Sequence, residues 1–273
     1  LTAFFLEASF LGVMLFGWGR VPEKLHFLAT VLVALGTLLS TFWILSANSW
    51  LHTPDGHVIV DGRVQVQSWM QVIFNPSFPY RLVHMTLAAY LTTCFVIGGV
   101  AGAYLRLGVH RDAAARMLRS ATAFALLVVP LQIIAGDLHG LNTLQHQPTK
   151  VAGMEGHWRA GPAGEGTPLV LWAIPDETAE RTRQEIAIPR LGGLVLAHSW
   201  DGRIDALTDV PASERPPVKP VFYAFRVMVG IGVLMLSLAL ASAWAWWRRR
   251  LLDSRILHWA WNLMLPAGFV AII

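Results

Sequence analysis

Six apolar runs divide the chain: Leu1–Trp18, His26–Ser46, Leu82–Leu105, Leu118–Gly136, Phe222–Trp247 and Ile256–Ile273. Crossing a bilayer as a helix takes about 20 mostly apolar residues, and each run reaches or nearly reaches that length. The chain opens at Leu1 inside the first run and closes at Ile273 inside the last. Both end helices therefore read as clipped, and both ends as truncations. With no basic stretch before the first run and no small-residue cleavage site after it, that run is not a signal peptide. The pattern predicts an all-α fold, a polytopic transmembrane helical bundle with one long extracytoplasmic loop. Residues 1–136 hold four transmembrane helices and an outer loop at 48–80, residues 137–220 form the long loop, and residues 221–273 hold two more helices.

The connections between runs alternate in character. Arg20 and Lys24 follow the first run. Arg106, Arg111, Arg116 and Arg119 fill the third-to-fourth connection, and Arg248, Arg249, Arg250 and Arg255 the fifth-to-sixth. Lys and Arg mark cytoplasmic connections, and here they mark every second one, as alternate crossing requires. The remaining two connections lie outside. Asn48–Tyr80 carries the turn signals Pro54-Asp55-Gly56 and Asp61-Gly62, and Val58–Val66 alternates enough for a short hairpin. Asp137–Pro220 is polar, rich in Gly and Pro, and holds eleven acidic residues, Glu165 among them, against eight basic ones. A loop this long within a helical bundle is functional or disordered. Its segments Leu169–Ile174 and Leu191–His198 are apolar enough to pack on the membrane face.

Composition agrees with the pattern. Hydrophobic residues make up 55% of the chain and charged residues 14%, against about 25% charged in a soluble domain. Twelve Trp and thirteen Phe suit membrane interfaces. The net charge of +4 comes from clusters beside apolar runs, which are topology signals and not a nucleic-acid surface. A single cysteine, Cys94, excludes an intrachain disulfide and a cysteine-based metal site.

Polar residues inside the membrane are costly and tend to be functional. Glu7 lies about 15 Å from the cytoplasmic end of its helix at helical rise. It is either a carboxylic acid held by a neighbouring hydroxyl or a proton relay, and the depth favours the relay. Ser40 lies about 21 Å along the next helix from His26 and is a hydroxyl partner or a packing residue. His84 sits a few residues inside the outer face. Alone it is as readily a hydrogen-bonded helix residue as a ligand. Met228 alters that balance, because both lie about 6–12 Å below the outer surface at helical rise, and His/Met pairs clamp haem iron in electron-transfer sites. Met235 is about 10 Å deeper and would not level with His84; any Met on a helix also serves as core filler. Arg226 at this depth suits haem propionates or snorkels to the interface. In the loop, His139, His146, Lys150, Glu155, His157 and Trp158 gather near its start. The cation Lys150 and carboxylate Glu155 beside an aromatic ring suit a quinol, whose hydroxyls need hydrogen-bond partners and a proton acceptor. Taken alone, these residues read better as an ordinary solvated loop.

These residues, with Ala3-Phe4-Phe5-Leu6-Glu7, Phe16-Gly17-Trp18, Leu35-Gly36, Trp43-Ile44-Leu45, Ala47-Asn48-Ser49-Trp50, Asn75-Pro76, Gly136-Asp137, Lys150 to Trp158 and Ala224-Phe225-Arg226-Val227-Met228, are the motifs by which the chain resembles subunit I of the cytochrome bd-type quinol oxidases. The resemblance implies that His84 and Met228 are the axial ligands of a low-spin haem b, with Arg226 beside it. It implies that Lys150 and Glu155 bind ubiquinol or menaquinol, and that Glu7 and Ser40 lie on the proton route to the oxygen-reducing haems, a high-spin haem b and a haem d or third haem b. It implies a bacterial inner-membrane, multi-pass protein with Asp137–Pro220 as a periplasmic quinol loop of the short form, similar to the cyanide-insensitive branch. Oxygen, a second oxidase subunit, a small accessory subunit and the lipid bilayer would be its partners, and nucleic acid would not. The family's N-terminal helix with a histidine ligand, and its Gly-Arg-Gln-Pro-Trp segment with a nearby glutamate ligand, have no counterpart in these residues, so the chain as written would ligate only the low-spin haem fully.

Two rival classes remain in view. A membrane b-type electron-transfer cytochrome without oxygen reduction would keep His84 and Met228 but has no need of Glu7. A proton-coupled transporter would use Glu7 but gives no reason for a His and a Met at matched depth.

Overall fold

The computed structural model describes residues 2–159 and 166–272. Leu1, Glu165 and Ile273, named above, lie outside the described residues. The chain divides into two compact units, Leu1–Leu82 and Val83–Ile273.

In the first unit, α1 (Thr2–Phe16) and α2 (Glu23–His52) form a helical hairpin. The connection turns at Gly19, whose φ of +70° suits a residue without Cβ, and Pro22 pre-sets the start of α2. The helices meet at Gly36. A Cβ there would stand 3.0 Å from the Glu7 amide nitrogen and 3.1 Å from the Ala3 carbonyl oxygen. Lipid tails are as apolar as leucine, so membrane helices associate through such close approaches and not through hydrophobic exclusion. The hairpin expected at Val58–Val66 is present. Strands β1 (His57–Val60) and β2 (Arg63–Val66) pair antiparallel around Asp61-Gly62, both at positive φ, as a tight two-residue turn requires. A five-residue helix, α3 (Trp69–Ile73), starts at Ser68, and α4 (Phe78–Leu107) follows. Asn75 is fully buried. It donates to the carbonyls of Ser46 and Val72 and accepts from Thr53, which ties the end of α2 to the approach to α4.

The second unit holds most of α4, then α5 (Arg111–His146), α6 (Pro148–Glu155), strands β3 (Leu169–Asp176) and β4 (Arg181–Ile188), α7 (Leu191–Ala197), α8 (Val218–Trp247), α9 (Arg255–Leu263) and α10 (Ala267–Ile272). Its core is Leu91, Phe95, Leu118, Val129, Met235 and Trp261 with their neighbours. Gly98, Gly99 and Gly102 on α4 let α9 and the residues after it lie against the backbone. A Cβ at Gly98 would collide with the Trp261 ring, and one at Gly102 would stand 2.5 Å from the His258 carbonyl oxygen. The Trp261 indole donates to Ser242 Oγ at 2.9 Å.

Among the described residues, four stretches are long and apolar enough to cross a membrane: Glu23–His52, Trp69–Leu107, Arg111–His146 and Val218–Trp247. Many of their apolar side chains, such as Phe27, Leu35, Leu127, Val233 and Leu234, are exposed, as lipid-facing side chains would be. The two end runs differ from this. Helix α1 has 15 residues, and the last run is interrupted between α9 and α10 at Pro266, which lacks the N–H a continuous helix needs. The long loop also differs in its bounds. Asp137–His146, expected to open it, form the last turns of α5, and the loop carries its own small fold. Leu169–Ile174 lie in an antiparallel pair with β4, and Leu191–Ala197 form α7. The helical class holds, with two short hairpins added outside the spans.

Candidate functional site

His84 lies in the second turn of α4, and α5 presents it one face, since residues 132, 136 and 139 recur at helical spacing. Gln132 Nε2 stands 3.2 Å from Nε2 of His84 and 3.4 Å from Nδ1. A Cβ at Gly136 would be 3.2 Å from His84 Cε1, so only glycine lets the ring lie so close to α5. The His139 ring is tilted against it, centroids 5.5 Å apart. Neutral imidazole has a single acceptor nitrogen, so at most one contact from Gln132 is a hydrogen bond. Gln132 Oε1 is buried without a partner among the described residues. Turning that amide over would set Oε1 against an imidazole N–H and leave the other nitrogen's lone pair free, the arrangement that prepares a histidine to bind a metal.

Met228 lies on α8, half-buried. Arg226, two residues before it, points about 200° away around the helix, toward the loop. Its guanidinium donates to Glu155 Oε2 at 3.1 Å, to the Met154 carbonyl at 2.5 Å and to the Val170 carbonyl at 2.7 Å, and it lies 3.5 Å over the Phe222 ring. The two Nη groups are thus engaged by the loop, while Nε is buried with no partner among the described residues. Arg226 fastens α6 and β3 to α8.

Glu155 ends α6 and is 2% exposed. Oε1 has no partner among the described residues, while Oε2 takes the bond from Arg226. Burial raises the Glu155 pKa, and the Arg226 charge and hydrogen bond pull against that rise. Gly156 follows at φ +63°, and its turn brings Glu155, His157 and Trp158 to one cavity of about 620 Å³, which Thr167, Arg181 and Glu185 also line. That size suits a small organic ligand. Trp158 is 6% exposed, and its Nε1 is likewise buried without a partner. Lys150, five residues before Glu155 on α6, is turned about 140° from it and is not among the residues lining the cavity. The ion pair that Glu155 makes is with Arg226.

The whole of residues 1–273 matches the family described as cytochrome bd terminal oxidase subunit I. The chain belongs to that family. It is 36% identical over 218 residues to cytochrome bd-II ubiquinol oxidase subunit 1 of Escherichia coli K12, covering 79% of this chain and 42% of that protein. It is 30% identical over 239 residues to cytochrome bd ubiquinol oxidase subunit 1 of Bacillus subtilis 168, covering 84% of this chain and 51% of that one. The solved bd oxidase of Geobacillus thermodenitrificans superimposes with a TM-score of 0.81 at 27% identity, over 99% of this chain and 61% of that one. The chain thus spans about half the length of the relatives it matches.

Membership in the cytochrome bd family implies haem, and with the spanning helices it makes this a bacterial inner-membrane protein. The residues around His84 fit a haem. The imidazole has an orphaned amide oxygen beside it to fix its tautomer, and Gly140, one turn beyond Gly136 on α5, has no atoms within 4 Å of a Cβ position.

In the first unit, Glu7 is half-buried on the turn of α1 that packs at Gly36. Ser40 stands one helical turn beyond Gly36 and lines a small cavity with Thr2, Ala3, Phe4 and Trp43. Both face the seam between α1 and α2, with Ser40 nearer the start of α1. Gln132 is the site residue that the sequence reading missed. The signal was an amide inside the apolar run Leu126–Ile134, one turn from Gly136.

Proposed function

We propose that this chain is the haem-bearing part of a quinol:oxygen oxidoreductase of the cytochrome bd type, oxidising quinol at the outer face of the bacterial inner membrane. The observation that carries this reading is the Glu155 carboxyl. It lies in the wall of a ligand-sized cavity with one oxygen unpartnered, while Arg226 fastens the other to the helix that bears Met228. A quinol losing electrons must lose protons, and a carboxylate whose pKa is raised by burial holds an accepted proton better than an ordinary one. The Trp158 indole N–H supplies a donor for a ring oxygen. Lys150, on another side of α6, adds positive charge to the loop.

His84 and Met228 would hold a low-spin haem b, which takes electrons one at a time and passes them toward the oxygen-reducing haems, a high-spin haem b and a haem d or third haem b. Gln132 orients His84, and Gly136 admits its ring. Glu7 and Ser40, on the α1–α2 seam, serve the proton supply for oxygen reduction from the cytoplasmic side. Quinol protons leave on the periplasmic side, under the loop. Separating the two events generates a proton gradient without pumping. The substrate is ubiquinol or menaquinol, and a second oxidase subunit and a small accessory subunit complete the assembly.

Lys150→Ala and Glu155→Ala in the full-length, assembled oxidase test the reading. Both are expected to impair quinol-dependent oxygen uptake while the haem spectra stay intact. Unchanged quinol kinetics in both variants would refute it.

A further inference from the structure

Quinol oxidation releases two protons, and Glu155 accounts for one. A second group on the cavity wall has the chemistry for the other. His157 lines the same cavity two residues on, and it is held there from both sides. Its amide donates to the Ala152 carbonyl at 2.9 Å, closing the turn after α6, and its carbonyl accepts from the Leu207 amide at 2.9 Å. The next residue is pinned in the same way, because the Thr208 hydroxyl donates to the Trp158 carbonyl at 2.8 Å. These bonds dock the short 3-10 turn Leu207–Asp209 against residues 157–158. The Asp209 carboxylate is fixed in turn by the Ala206 amide, which donates to Oδ2 at 3.0 Å.

We infer that His157 is a second proton acceptor for the quinol, and that Asp209 receives the positive charge and leads the proton to solvent. The inference rests on the proposed function above. Three burial states line up along this path: the cavity, the half-buried imidazole and an exposed carboxylate. Burial lowers the His157 pKa, and the Asp209 charge opposes that. The ring is thus the free base at neutral pH, able to accept, and its protonated form has a counter-charge beside it. Among the described residues, the other charged groups facing this space are Glu155, Arg159, Glu180, Arg181, Glu185 and Arg203, all on the cavity wall. Glu180 is paired with Arg215 at 2.6 Å, and Glu155 with Arg226.

The step balances. Two O–H bonds of the quinol break and its two C–O bonds become C=O. One proton goes to Glu155 and one to an imidazole nitrogen of His157. The two electrons would leave singly by way of the low-spin haem of the proposed function and the oxygen-reducing haems, with oxygen as the final oxidant.

The test uses the full-length, assembled oxidase with a soluble short-chain quinol, measured as kcat and KM across pH 5–9. His157→Gln is expected to lower kcat at neutral pH by about 100-fold, the lower range for losing a positioned base. KM and competition by the oxidised quinone should change little. The limb of the profile in which activity rises with pH as His157 loses its proton should vanish. Asp209→Asn removes a charge that favours imidazolium, so this limb should move to lower pH with the haem spectra unchanged. Asp209 is exposed, so this variant reports even if His157→Gln assembles poorly. A wild-type profile in His157→Gln, or an unmoved limb in Asp209→Asn, overturns the inference. A wild-type oxidase that oxidises no quinol would instead overturn the proposed function.

Discussion

Arg226 Nη2 lies 3.1 Å from Glu155 Oε2, with the arginine side chain 13% and the glutamate side chain 2% exposed. One ion pair thus joins the loop that carries the cavity to the helix that carries Met228. Its geometry makes Arg226 a fastener as much as a charge, since the same guanidinium also holds the Met154 and Val170 carbonyls.

Arg226→Ala should therefore do two things. It leaves a carboxyl buried without its cation, a change that costs about 3–5 kcal/mol in buried pairs, and it should speed proteolysis within residues 148–217. It also removes what restrains the Glu155 pKa, which should rise further. The folded loop then holds the Glu155 proton to higher pH than the unfolded chain does. Stability should be retained below the ordinary carboxylate pKa and fall as pH rises toward the raised folded value. Limited proteolysis across pH 5–8 checks this. Equal cleavage of wild type and variant at every pH would show that the pair holds nothing.

His84→Ala should abolish the low-spin haem spectrum, and Met228→Leu should convert it toward high spin. Gly136→Val adds bulk at a point where even a Cβ stands 3.2 Å from His84 Cε1. It should shift or weaken the same spectrum without altering either ligand. Optical and electron paramagnetic resonance spectra of the purified oxidase read all three. An unaltered low-spin haem in both His84→Ala and Met228→Leu would assign the ligands elsewhere.

Glu7→Gln keeps size and hydrogen bonding but carries no proton. Oxygen uptake should fall steeply, by about the 10²–10⁴-fold range of a lost proton-transfer group, while quinol still reduces the low-spin haem. Glu7→Asp should keep part of the rate. Turnover by Glu7→Gln at the wild-type rate would leave Glu7 as a hydrogen-bonding residue at the α1–α2 seam.

Much of this molecule was legible in its residues because the bilayer imposes strong rules. Runs of apolar residues and alternating basic connections placed the helices, and Asp61-Gly62 placed the outer hairpin. The loop was less legible. Its residues obey no membrane rule, and α5 runs on through Asp137–His146 because a helix leaving the membrane need not be apolar to continue. The Arg226–Glu155 pair was not legible for a related reason: the two residues are 71 positions apart, and only the packing of the loop on α8 brings them together. Gln132 was passed over because an amide in an apolar run carries no charge to notice, and its meaning appears only when Gly136 brings α5 against His84.

The central claim is that quinol electrons enter through the Glu155 cavity and reach a low-spin haem held by His84 and Met228. Anaerobic rapid mixing of the oxidised, full-length oxidase with quinol, followed at the low-spin haem band, measures that transfer alone. The account predicts fast reduction in the wild type and reduction slowed about 100-fold or more in Glu155→Gln, the scale of a lost proton acceptor, with dithionite reducing both to the same spectrum. Reduction of the low-spin haem by quinol in Glu155→Gln at the wild-type rate would contradict it.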